Sequence, residues 1–183
     1  MNLMPIANQV QFSDSATATP FKVGTNCAIL TATLTRPADT NIYLTNDAIA
    51  GSTTAPAILT FAGAARANGG SGEIIRANLC TDLATCTAMI RLHLFTTTVT
   101  LDNDNDPYRT LFTSVAVRIG WIDFPVLSSA GAGSTSAAAM VTGSMPYVCA
   151  AAATSIYGRV QTLNGWTPAS AQQLVFTLES RKD

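Results

Sequence analysis

The densest run of reactive side chains is "LDNDNDPY", Leu101 to Tyr108, where Asp102, Asp104 and Asp106 alternate with asparagines. Carboxylates and amides in succession offer the hard oxygen ligands that Ca²⁺ takes. An EF-hand loop, however, needs glycine at its sixth position and a bidentate glutamate at its twelfth. Counted from Asp102, those positions hold Pro107 and Thr113. A calcium loop of another shape, with Asp102, Asp104 and Asp106 as ligands, is the minority candidate, and the primary expectation is no metal and no cofactor. Acid/base catalysis needs two carboxylates facing across a cleft in unlike environments, which neighbours in one turn do not obviously provide. The plainer expectation is a turn in which Asp106 caps a short helical segment from Pro107 to Thr113, with Pro107 at the first helical position.

Other reactive residues are few. His93 is the sole histidine, no G-x-S-x-G surrounds any serine, and the expected role of His93 is structural or interfacial. Cys27, Cys80, Cys86 and Cys149 contain no C-x-x-C and make no zinc pattern with one histidine; buried free thiols are expected, with Cys80 and Cys86 close enough to flank a hairpin and pair if oxidised. "NGGSGE", Asn68 to Glu73, lacks the lysine of a phosphate loop and leads into a strand pattern rather than a helix, so it reads as a turn. Trp121, Trp166 and Tyr147 are candidates for a sugar-stacking platform, although Trp121 shares its alternation with Val117 and Ile119 and is expected in the core. No catalytic residue is assigned, and the chain is expected not to be an enzyme.

The arginines carry more information. Eight of the ten basic residues are arginine, and Arg76, Arg91, Arg118 and Arg159 fall within strand patterns. Arginine is favoured over lysine where a planar fork must meet carboxylates or carbonyls at an interface, so these four are the interface candidates. The competing reading, of equal weight, is that each is an ordinary outward-facing strand residue.

The elements that position these groups are strands. Helical periodicity is nearly absent, whereas "TAMIRLHLF" alternates strictly, with Ala88, Ile90, Leu92 and Leu94 on one face and Met89, Arg91, His93 and Phe95 on the other. "SVAVRIGWIDF" places Val115, Val117, Ile119 and Trp121 together, and "QLVFTLES" does the same for Leu174, Phe176 and Leu178. Strands are expected at 27–35, 57–62, 73–81, 87–98, 114–124, 137–150, 156–162 and 172–179, with a short one at 42–44. The expected class is all-β: a jelly-roll-like antiparallel β-sandwich of about eight strands with at most short helical turns. Residues 1–25 are expected to form an arm or edge strand, and residues 26–183 a single domain.

Composition narrows the partners. Only 11% of residues are charged and the net charge is -1, so no global field attracts nucleic acid or an anionic membrane. Weak repulsion favours association, and a homo-oligomer is expected. The opening "MNLMPIANQVQFSDS" lacks a basic n-region and an apolar core, so a chain that remains where it is made is expected. The Ala-rich stretch from Ser128 to Thr154 is broken by glycines, Pro146 and hydroxyls, and is not expected to span a membrane.

The block from Asn46 to Phe124 resembles small virion structural proteins of tailed bacteriophages, the capsid decoration or cement type. "NDAIAGS", "ILTFAGAARANGGSGEIIRANL", "IRLHLFTTTVTLDNDNDPY" and "VRIGWIDFP" carry the resemblance. It implies a non-enzymatic β-sandwich, often trimeric, that is made in the host cytoplasm, sits on the capsid surface and braces the major capsid protein lattice. The alternative is a neck, tail or fibre-associated virion protein contacting a host glycan, for which an exposed Trp166 or Tyr147 would count.

Overall fold

The computed structural model describes residues 27–182, so the expected N-terminal arm lies outside the described residues. The described chain is an all-β sandwich of two antiparallel sheets. In the first sheet, β1 (Cys27–Thr35) pairs with β10 (Gln173–Lys182), β10 with β4 (Ser71–Thr81), β4 with β8 (Ala137–Val148), and β8 with the short β7 (Ser128–Ser129). In the second, β9 (Ile156–Thr162) pairs on one edge with β2 (Ala48–Ile49) and β3 (Leu59–Phe61). Its other edge meets β5 (Ile90–Phe95), which is followed by β6 (Arg118–Phe124).

Alternation explains the core. Leu30, Ala32 and Leu34 of β1, Leu174, Phe176 and Leu178 of β10, and Ile90, Leu92 and Leu94 of β5 all turn inward and are buried. Each strand thereby gives one face to the space between the sheets, where apolar surface leaves water at ~25 cal/mol per Å². An extra residue in β4, Ile75, lies unpaired between Ile74 and Arg76, opposite Glu179/Ser180 of β10, and shifts the phase so that Ile74 and Ala77 both reach the core. Close approach fixes Gly72: a Cβ there would lie 2.7 Å from the carbonyl oxygen of Arg181 and 2.7 Å from Tyr147 Cζ.

Four expectations need correction. Residues 114–117 are not strand: Phe112–Val115 form one helical turn, α1, and β6 begins at Arg118. The helical turn expected over 107–113 therefore sits further on, and Asp106 does not cap it. Leu111 occupies the cap without a side-chain bond, while Pro107 bridges to Asp47. Trp121 is not core: it pairs with His93 on the outer face and is 45% exposed, while Ile122 and Phe124 point inward. The expected short strand at 42–44 reduces to one bridge, Tyr43 to Trp166. All four cysteines are free thiols, Cys86 and Cys149 being buried and Cys27 exposed.

Candidate functional site

The outer face of the second sheet collects most of the unusual chemistry, because register stacks its polar and aromatic residues in rows. Pairing sets Arg91 opposite Asp123 and Gln161, His93 opposite Trp121 and Arg159, and Phe95 opposite Arg118 and Tyr157. The aspartate loop folds over part of this face. It is stitched to residues 46–52 by backbone bonds from Asp104 N to Ser52 O (2.9 Å), Asn105 N to Ala48 O (3.0 Å) and Ala48 N to Asp106 O (2.8 Å). Asn46 and Asn105 both adopt positive φ, at 71° and 65°, a conformation asparagine tolerates better than most residues. The asparagines of "DNDND" are thus explained by backbone geometry at Asn105 and by a side-chain bond from Asn103 to Asp106 (3.1 Å).

The three aspartates have separate fates. Asp104 is buried; its Oδ2 accepts from Arg36 Nη2 at 3.0 Å, and its Oδ1 accepts from the Tyr43 hydroxyl at 2.5 Å and the Ala50 amide at 2.8 Å. Arg36 also donates to the Tyr43 oxygen, lies 4.6 Å over the Tyr43 ring, and is fully buried. Tyr43 in turn stacks on Trp166 at 5.1 Å. Burial, reinforced by Asp104, raises the Tyr43 pKa far above the ordinary phenol value. Arg36 is raised too: burial works against its charge, and the bonds to Tyr43 and Asp104 more than offset it.

Asp102, also buried, accepts from the Arg109 amide (2.8 Å), from Arg109 Nε (3.0 Å) and from Arg159 Nη2. Arg159 lies 4.4 Å over the Tyr108 ring, which stacks on His93 at 4.6 Å. His93 bonds through Nε2 to Gln161 Oε1 at 2.9 Å, and Gln161 passes its own amide hydrogen to Asn46. That chain requires the hydrogen of a neutral imidazole to be on Nε2. Burial first, and then Arg91, Arg118 and Arg159 nearby, lower the His93 pKa to about 4. Asp106 alone among the three stays only partly buried. Among the described residues, no group of three His, Cys, Asp or Glu side chains is placed to hold a metal ion.

The four candidate arginines divide. Arg159 is buried and consumed by Asp102 and the Arg109 carbonyl. Arg91 and Arg118 lie 5.2 and 5.0 Å from the Trp121 ring, with Arg91 also forked onto Asp123 at 2.6 and 2.7 Å. Arg76 belongs to the other sheet, where it pairs with Glu179 at 2.6 Å, yet it shares a cleft of about 300 Å³ with Trp121 and Asp123. The cleft lies between β4, β6 and β8, with Ile74, Ala77, Ile122, Val141 and Met145 as its apolar lining. Three of the four arginines therefore surround one exposed tryptophan. Of the proposed sugar platform, Trp166 and Tyr147 are buried, and the Tyr147 hydroxyl donates to Ala64 O at 2.7 Å.

Arg36, Tyr43, Arg109 and Asp123 were not singled out from the sequence. Arg36 and Asp104 lie 68 residues apart, and no local spacing announces such a pair. The available signal was compositional: in a chain this poor in charge, each charge that sits inside an apolar pattern must find a partner. No protein-family model matches the chain, and neither a curated protein nor a solved structure matches it.

Proposed function

We propose that the chain is a non-enzymatic structural protein of the capsid-decoration type, binding the outer lattice of a tailed-phage capsid and stabilising the particle. The observation that carries this reading is the saturation of Asp102 and Asp104. Both oxygens of Asp102 and of Asp104 are taken by arginine, tyrosine or backbone donors, which removes the best catalytic acids from chemistry and leaves a rigid, charge-poor β-sandwich. A lattice multiplies modest contacts, so sites of ~1,600 Å² with few charges suffice when repeated. The major capsid protein is the expected partner, and Arg76, Arg91 and Arg118 around Trp121 are the contact candidates. Cryo-EM of virions tests the proposal: density for this chain between capsomers at local three-fold positions supports it, and density confined to the portal vertex or tail sinks it.

The half-exposed Trp121 in its polar-rimmed cleft favours a second reading, a neck, tail or fibre protein that contacts a host glycan. Glycan-array binding that Trp121→Ala abolishes would select it over capsid decoration.

A further inference from the structure

One side of the sandwich is left open. β1 is the last strand of its sheet, and among the described residues only β10 pairs with it. The Arg36 amide bonds Gln172 O at 3.0 Å, which fixes the parity: the even-numbered residues of β1 exchange backbone bonds with β10. Ile29, Thr31 and Thr33 therefore aim their amides and carbonyls away from the sheet, along a strand nine residues long. Native sheets commonly blunt such an edge with a charge or a proline, and β1 contains neither. Beside it runs a groove of about 460 Å³, lined by residues 31–35 of β1 and by residues 57–60.

The chain itself supplies a segment that fits, just ahead of the described residues. From Gln9 to Thr19 every odd-numbered residue is glutamine, serine or threonine, while the even-numbered ones are Val10, Phe12, Asp14, Ala16 and Ala18. β1 alternates in the same way, with Leu30, Ala32 and Leu34 buried and Thr31, Thr33 and Thr35 exposed. Asp14 is the one charge on the apolar parity, and an inward charge is a device by which an edge strand avoids recruiting a further strand. Seven residues, Pro20 to Asn26, join this segment to Cys27, and Pro20, Gly24 and Asn26 among them are turn formers. So short a connection returns the segment antiparallel to the edge where β1 begins, at an effective concentration of millimolar order that a separate molecule does not reach in dilute solution.

We propose that residues 9–19 add an antiparallel strand to the free edge of β1, with Val10 and Phe12 turned toward the groove and the polar parity continuing the threonine face. The occupant is the chain's own segment, because continuity through residues 20–26 favours it over any strand that must first be captured. The added strand meets the outward amides and carbonyls of β1 and covers the one long edge of this sheet. The inference does not rest on capsid decoration; a chain that binds no capsid would retain the strand.

Nuclear magnetic resonance of the full chain in dilute solution tests the proposal. Cross-strand Overhauser contacts are expected between residues 9–19 and Ile29, Thr31 and Thr33, and the Thr31 and Thr33 amides are expected to be protected from exchange as those of Leu30 and Ala32 are. The double variant Ser13→Pro with Asp14→Pro removes a donor on each parity, so one proline must face β1. In it the Thr31 and Thr33 amides should exchange faster by about tenfold or more, while Leu30 and Ala32, bonded to β10, stay protected and report an intact fold. If the variant unfolds, the wild-type contacts decide alone. Absence of those contacts, or Thr31 and Thr33 exchange at the rate of an open edge in the wild type, overturns the proposal, as does protection that survives both prolines. Contacts that arise only between labelled and unlabelled chains in a mixture also overturn it, since the strand would then come from a second copy.

Discussion

The aspartate loop and the Trp121 rim are built from the same ingredients, an arginine, a carboxylate and an aromatic ring, and they end up serving opposite purposes. At Asp104 the pair with Arg36 is 1% and 0% exposed, and a tyrosine and a backbone amide complete the shell. At Asp123 the pair with Arg91 is 45% and 28% exposed, and the indole beside it faces water. Burial separates the two. Inside, an unsatisfied carboxylate costs several kcal/mol, so both Asp104 oxygens are bound and the group becomes structure. Outside, solvent satisfies what the protein does not, which leaves the side chains available to a partner.

Breaking the inner pair should therefore have the largest effect. Asp104→Ala strands the Arg36 guanidinium and the Tyr43 hydroxyl in the interior, and the expected loss is about 3–5 kcal/mol. For a chain of this size each kcal/mol corresponds to ~2–4 °C, so melting should fall by about 6–20 °C. Thermal unfolding followed by circular dichroism reads it.

Next comes acid. The His93 pKa is lowered to about 4 in the fold against an ordinary 6.5, so the folded state favours the neutral ring and the unfolded chain takes up the proton first. Stability from this residue is complete above pH 6.5, is lost as pH falls below it, and levels off below about 4. Between pH 7.5 and 5 the loss is about 2 kcal/mol. Urea unfolding of the wild type and of His93→Gln across that window should show a shallower slope in the variant, whatever its baseline.

The outer pair should yield less. Asp123→Ala is expected to cost under ~1 kcal/mol, measured in the same melting experiment. A loss equal to that of Asp104→Ala would erase the distinction between the two regions. Smallest of all is calcium: with the Asp102 and Asp104 oxygens already bonded, millimolar Ca²⁺ or a chelator should leave the melting temperature unmoved, and a calcium-dependent rise would revive the metal reading.

The sandwich was legible wherever one parity of a run was apolar and the other was not. "IRLHLF" and "LVFTLES" fold as their alternation dictates, since a one-residue slip would drive Leu92 or Phe176 into water. "VAVRIGWIDF" misleads because both parities are apolar: Ile119 and Trp121 compete with Ile122 and Phe124, and the longer odd-numbered run loses. The bulge opposite Leu94 and the helical turn before Arg118 decide that competition, and both are tertiary features. The candidate site was half legible. The arginine pattern led to Arg91 and Arg118, but it grouped them with Arg159, whose long-range partner Asp102 draws it inside. The aspartates read as a surface turn, because nothing within eight residues of Asp104 discloses Arg36 or Tyr43.

Native-state hydrogen exchange at the Ala50 amide tests most directly whether the aspartate loop is interior structure. That amide donates to Asp104 Oδ1 at 2.8 Å, and it is expected to exchange only on opening of the domain, with protection close to that of core amides in β5 and β9. Exchange at the rate of an exposed loop amide, such as that of Thr54, would contradict the account and return the aspartates to the surface.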